Sequence, residues 1–450
     1  MPKISFCFIF HWQLAVCFSS FVDSVVVGRG IGAQALAAVG ATSIVVWLTL
    51  GFAMGLTRGF CIHISQAYGK KDYHLVNRGF FVASVLSLIV GTMISIVGSL
   101  AIRDFLILMH TPREILEQSL DYIKVILLGF VITVLNNLFM SVLQSLGDSS
   151  TPFWALLVSS VTNIGLDCVF VLTLKWGVQG AAAATVLSQV FSFAICAAGL
   201  KRLKFISILD GSKSKNARLT VRMLKTGLPV GIMSMVTAVG GMILQFFVND
   251  LGASAVAAYA ASTKIRSVIG EFSNALGMTF MTFVGQNYGA QKYDRIKAGV
   301  RMGVLLSILI HIPLSAVEIF GGKRIASLMV TDPPVLELCG QYLLIVGIFV
   351  FFLGFLMVFR NCIQGMGNTW IPMLSGGLEV FSRLIFGYWL GRHSFMGIVA
   401  AEASAWISVS IMLGSSFFIL FRKVLRTQTP ENTTDTKKHK NGFIKQEGTK

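Results

Sequence analysis

Apolar residues run in long stretches along almost the whole chain, each closed by glycine, proline or a charged side chain. The hydrocarbon core of a bilayer is matched by roughly 20 apolar residues of helix, so these stretches are read as membrane spans. They fall at roughly 4 to 27, 36 to 65, 79 to 102, 119 to 145, 153 to 174 and 178 to 200, and then at roughly 226 to 249, 254 to 285, 297 to 320, 337 to 364, 370 to 391 and 395 to 421. The chain of 450 residues is 54% hydrophobic and 13% charged. A soluble protein carries about 25% charged residues, so a soluble multidomain enzyme is excluded.

The 37 basic and 20 acidic residues give a net charge of +17, concentrated in blocks. Residues 201–225 carry +7, and the tail after Phe421 carries +5, so two segments supply 12 of the 17 charges. Lys and Arg beside membrane spans hold a loop on the cytoplasmic side. The excess is therefore a topology signal, not a nucleic-acid footprint. An even number of spans places both termini, and the turns near residues 70, 210 and 293, in the cytoplasm of a cell whose inner membrane holds the protein. The apolar start, Met1 to Phe10, is followed by no small-residue cleavage site before Asp23 and is read as an uncleaved first span.

Shifting the sequence by 220 residues superposes Gly32-Ala33 on Gly252-Ala253, Gln66 on Gln286, Tyr68-Gly69 on Tyr288-Gly289, Gln144 on Gln364, Gly147 on Gly367 and Pro152 on Pro372. One unbroken offset across six spans means two homologous bundles. Six spans return the chain to the side where it began, so the halves share an orientation. This is the parallel-repeat plan of transporters, with the substrate path between the halves. The expected organisation is an all-α membrane protein with a six-helix lobe at 1–200, a basic cytoplasmic linker at 201–225, a second six-helix lobe at 226–421 and a basic tail at 422–450.

Polar positions present in only one copy are candidates for work beyond the shared scaffold. Asp23, Asn163, Asp167 and Thr185 lie within spans one, five and six, and 220 residues on they become Ile243, Arg383, Gly387 and Ala405. Asn163 and Asp167 are four apart and share a helix face. A carboxylate within the membrane is costly and marks a functional site by default. Two acids, an amide and a hydroxyl suit a hard monovalent cation such as Na⁺. They suit a proton equally, because burial and a like-charged neighbour favour the neutral carboxyl.

Other intramembrane polar groups are candidate cavity or substrate contacts: Asn137 in span four, Lys264 and Glu271 in span eight, and Glu379 and Arg383 in span eleven. The last two are four apart, so an internal ion pair is as open as a substrate contact. Arg266 accompanies Lys264. The seven cysteines have no Cys-x-x-Cys pair or metal spacing. No His-Glu-x-x-His or Gly-x-Ser-x-Gly motif is present, which disfavours a membrane-embedded enzyme.

Val22-Asp23-Ser24-Val25-Val26-Val27-Gly28, Ala35-Leu36-Ala37-Ala38-Val39-Gly40, Gln66-Ala67-Tyr68-Gly69, Gln144-Ser145-Leu146-Gly147-Asp148 and the stretch from Asn163 to Asp167 occur in that order. In this respect the chain resembles the multidrug and toxic compound extrusion (MATE) family over nearly its whole length. The resemblance implies a cation-coupled antiporter that exports amphipathic, often cationic or aromatic compounds by alternating access of two lobes, without a cofactor and as a monomer in the bilayer. In the branch resembling the DNA-damage-inducible F type, coupling uses an acid in helix one, an Asn and an Asp one turn apart in helix five, and a Thr in helix six; Asp23, Asn163, Asp167 and Thr185 match that pattern. The NorM-like branch uses acids in helices seven and ten, where this chain has Thr237 and Asn368. No proline lies between Lys3 and Asp23, so the helix-one bending of one proposed family mechanism is not carried over. The alternative within the superfamily is a lipid-linked oligosaccharide flippase, for which Arg383, Lys264 and Arg266 form only a thin basic lining.

Overall fold

The computed structural model describes residues 26–28, 30–109, 111–203, 205–206, 216–391 and 394–426. Asp23 and most of span one lie outside these residues, as do the centre of the linker and most of the tail. Among the described residues the secondary structure is helical. The first half holds α1 (Ala33–Gly69), α2 (Tyr73–Leu108), α3 (Arg113–Leu128), α4 (Phe130–Ser145), α5 (Ser150–Thr173) and α6 (Gly177–Arg202). The second holds α7 (Ala217–Asn249), α8 (Ala253–Gly289), α9 (Tyr293–Ala326), α10 (Pro333–Gly365), α11 (Trp370–Phe386, continued by a π-helical segment Gly387–Gly391) and α12 (Phe395–Arg426).

Eight of these helices are long and apolar enough to cross a membrane, and α3 with α4 forms a ninth candidate bent by 47° at Gly129. Gly129 lies at the break with its backbone against Val186 of α6, where a Cβ would collide. The remaining two, α8 and α11, fall at expected spans. Helix α8 is long but carries Lys264, Arg266 and Glu271, and α11 reaches spanning length only with its π segment.

Several helices run past the expected apolar boundaries. Helix α7 begins at Ala217, so the last nine residues of the expected linker are its first turns, and α12 continues to Arg426. The backbone satisfies its own hydrogen bonds in a helix whether in lipid or in water, and Arg or Lys on these turns keep their charges at the interface. The end of hydrophobicity is therefore not the end of the helix.

Each half has its own apolar core. One is built around Leu56, Phe60, Phe80, Leu138 and Leu143; the other is built around Tyr342, Val346, Leu356, Trp406 and Leu413. The halves meet where α1 crosses α7. Gly55 and Gly59 of α1 face Gly227 and Gly231 of α7 so closely that a Cβ at either α1 glycine would overlap backbone atoms of the other helix. Both pairs have the four-residue spacing that lets membrane helices approach backbone to backbone. Thr226 Oγ1 adds a hydrogen bond to the Gly59 carbonyl at 3.2 Å.

Candidate functional site

Helix α5 is started by Asp148, whose carboxylate accepts from the backbone N–H of Ser150 and Thr151 at 3.0 Å each and from the Thr151 hydroxyl. A carboxylate at a helix start satisfies otherwise orphaned N–H groups. From there Ser159, Asn163 and Asp167 recur every four residues and are all buried. The Ser159 hydroxyl donates to the Ser188 carbonyl at 3.0 Å, tying this face to α6. Asn163 is 5% exposed and Asp167 1%. The Asn163 amide donates to Asp167 Oδ2 at 3.4 Å, so the structure brings these two together.

Immediately after Asp167 the helix widens into a π segment, Cys168–Thr173. Thr185 lies half-buried on the adjacent α6, its hydroxyl bonded to the Ala181 carbonyl at 3.1 Å. Asp23 lies outside the described residues. Val27, four residues later, packs with Val171 of that π segment and with Val178 and Ala181 of α6. A buried carboxylate with an amide beside it can hold a proton or contribute oxygen ligands to a monovalent cation.

The second half fills the equivalent place differently. Arg383, the counterpart of Asn163, binds Glu379 Oε1 at 2.9 Å, and Arg360 of α10 binds Glu379 Oε2 at 3.0 Å. All three side chains are buried. Arg360 was not among the sequence candidates, although its counterpart at the 220-residue offset is Met140.

Of the other candidates, Asn137 donates to the Thr133 carbonyl one turn back at 2.9 Å, and Lys264 is exposed. Glu271 is half-buried, accepts from Asn274 at 3.3 Å and lies in electrostatic reach of Arg58 on α1. Arg58 is a second residue missed in the sequence, where the other copy has Met278. It lines a small cavity between the halves together with Ser65, Gln144, Met278, Met281 and Thr282. At the positions corresponding to the NorM-like acids, Thr237 bonds the Met233 carbonyl and Asn368 accepts from the Ile371 N–H at the start of α11.

The halves are joined at the end that carries Gly69 and Gly289. There Gln66 donates to the Gly365 carbonyl at 2.9 Å, Gln286 to the Ser145 carbonyl at 2.8 Å, and Ser65 to the Thr282 carbonyl at 3.2 Å, each crossing between halves.

The family model MatE matches residues 9–169 and again residues 229–389. The chain belongs to the MatE family. The two matches are themselves offset by 220 residues, the interval of the internal repeat. The chain is 28% identical over 392 residues to the probable multidrug resistance protein YoeA of Bacillus subtilis, covering 82% of this chain and 85% of that one. It is 26% identical over 404 residues to the probable multidrug resistance protein YpnP of the same organism, covering 88% and 87%. A crystal structure of MATE in complex with MaL6 superposes with a TM-score of 0.88 at 22% identity, over 94% of this chain and 97% of that chain. The protein is an all-α membrane protein with the MATE fold.

Proposed function

We propose that this MatE-family protein is a secondary active antiporter that exports amphipathic, often cationic or aromatic compounds in exchange for Na⁺ or H⁺. The observation that carries this reading is the buried Asn163–Asp167 pair in one half, set against Arg383 and Gly387 at the same places in the other. The shared scaffold does not account for an acid present in one copy alone, and an intramembrane acid is read as functional by default. The relatives named as multidrug resistance proteins support the substrate class. The match of Asp23, Asn163, Asp167 and Thr185 supports the branch resembling the DNA-damage-inducible F type. The flippase alternative needs a basic cavity, yet Arg383 is engaged by Glu379, Arg266 pairs with Glu402 at 3.5 Å, Lys264 is exposed, and Arg58 is the single base among the described residues lining the cavity between the halves.

In this reading the basic turns at Gly69 and Gly289 face the cytoplasm of a cell whose inner membrane holds the protein, and the Gln66 and Gln286 hydrogen bonds seal that side. The cation and the drug must favour opposite-facing states, because a ligand shifts a conformational equilibrium only through its differential affinity. The test is dye transport in proteoliposomes with Na⁺ and pH gradients imposed separately. At least one gradient is expected to drive a fluorescent cationic dye, and Asp167→Asn is expected to abolish that movement while the protein stays folded. Undiminished gradient-driven transport by Asp167→Asn would remove the reading.

A further inference from the structure

The offset that singles out Asp167 in the first half singles out different acids in the second. Glu318 and Glu402 stand where the first half has Gly98 and Ala182, and Arg266 stands where it has Val46. Glu318 also lies in a π-helical segment, Val317–Gly321, whereas the corresponding stretch of α2 is plain α-helix. The π segments after Asp167 and at Gly387–Gly391 occupy matching places and belong to the shared scaffold. That of α9 does not, and single π turns in helices often mark functional positions.

Glu318 is 1% exposed and neither of its carboxylate oxygens has a hydrogen-bond partner. The charged groups nearest to it pair with one another. Glu402 of α12 accepts from the Tyr342 hydroxyl of α10 at 2.8 Å and pairs with Arg266 of α8 at 3.5 Å. Arg266 and Glu402 both lie in electrostatic reach of Glu318. On α9 itself His311 lies seven residues back. Its Nδ1 donates to the Ser307 carbonyl at 2.6 Å, and its Nε2 is hydrogen-bonded to the Ser273 hydroxyl at 2.7 Å. Five residues on, Lys323 is held by the exposed Glu337 of α10. Arg324 follows it, and Arg360 and Arg383 bind Glu379.

Glu402 therefore takes both the Tyr342 hydroxyl and the pairing with Arg266, while Glu318, more deeply buried than Arg266, has no hydrogen-bond donor on either oxygen. A buried ionised carboxylate without a hydrogen bond is among the most costly arrangements a protein can hold. We propose that Glu318 is a proton-binding site in the second half, separate from the Asn163–Asp167 site, and that it carries its proton in the conformation seen here. The arrangement favours a proton over Na⁺, since a sodium ion would need several oxygen ligands beside a guanidinium that repels it. The inference adds a proton site to the cation-coupled reading above, but its test does not depend on transport.

The experiment is infrared difference spectroscopy of the full-length protein in lipid at neutral pH, following the C=O stretch of protonated carboxyl groups. Glu318→Gln is expected to remove one carboxyl's band, and Asp167→Asn is expected to leave that band in place. Glu402→Gln frees Arg266 to pair with an ionised Glu318, so the same band is expected to vanish in that variant at the same pH. If Glu318→Gln fails to fold, the Glu402→Gln spectrum decides. An unchanged band in either folded variant overturns the proposal, and so does a Na⁺-dependent rise in melting temperature that only Glu318→Gln abolishes. Failure of Asp167→Asn to affect transport would overturn the coupling reading while leaving this band untouched.

Discussion

Gln66 and Gln286 make the same hydrogen bond from opposite halves. Gln66 donates to the carbonyl of Gly365 at 2.9 Å, Gln286 donates to the carbonyl of Ser145 at 2.8 Å, and the acceptors are themselves 220 residues apart. A pair related in this way is a latch with two equal halves. Removing one neutral hydrogen bond costs about 1 kcal/mol net, which is about a fivefold change in a two-state population at room temperature. Gln66→Ala and Gln286→Ala are each expected to shift the protein toward opening at this end, by similar amounts. Spin labels at the exposed positions His74 and Asp294, read as a distance distribution, check this; unchanged distributions in both variants would rule out a latch.

Gly69 and Gly289 lie one helical turn from the latch and reinforce it by having no side chain. A Cβ on Gly69 would fall on the carbonyl of Gln286, and a Cβ on Gly289 on the carbonyl of Gln66. Backbone atoms cannot swing aside as a side chain can. Gly69→Ala is therefore expected to wedge this end apart more strongly than Gln66→Ala does. The same spin-label pair should report a longer mean distance, and dye transport should fall because the closed end no longer forms. Normal transport with an unaltered distance would contradict this close approach.

The duplication was legible in the chain: the turns at Gly147 and Gly367, matched at the offset, both adopt positive φ, 96° and 93°. Which helices meet was not. Nothing in the neighbourhood of Gln66 identifies Gly365 as its acceptor, because that contact depends on how two independent bundles dock. Arg360, Glu318 and Glu402 are visible at the offset as replacements of Met140, Gly98 and Ala182. Their partners are not, because they lie on other helices. The ends of α7 and α12 escaped for another reason: helical hydrogen bonding continues past the edge of hydrophobicity.

Asn163 donates to Asp167 and lies with it inside the first half. Its loss should weaken cation binding without removing the ionisable group. Asn163→Ala is expected to raise the cation concentration needed for half-maximal transport about tenfold, the equivalent of about 1.4 kcal/mol. Maximal transport should be largely kept, unlike the full loss expected for Asp167→Asn. Cation titrations of dye efflux in proteoliposomes distinguish the two patterns. An unchanged half-maximal concentration would assign Asn163 to packing between α5 and α6.

Glu379 holds two guanidiniums, from Arg360 and Arg383, in the interior of the second half. Breaking a buried ion pair by removing one partner costs about 3–5 kcal/mol, whereas replacing the whole group by apolar side chains of similar volume is often neutral or stabilising. Glu379→Gln leaves two buried cations facing one another and should lower the melting temperature markedly. The triple change Arg360→Met, Glu379→Met and Arg383→Met should recover most of the loss. Thermal unfolding of the detergent-solubilised protein checks both. If the triple variant is stable yet transport is lost, the three charges serve the transport cycle; if transport survives, they are a structural brace that stands where the first half has Met140, Ser159 and Asn163.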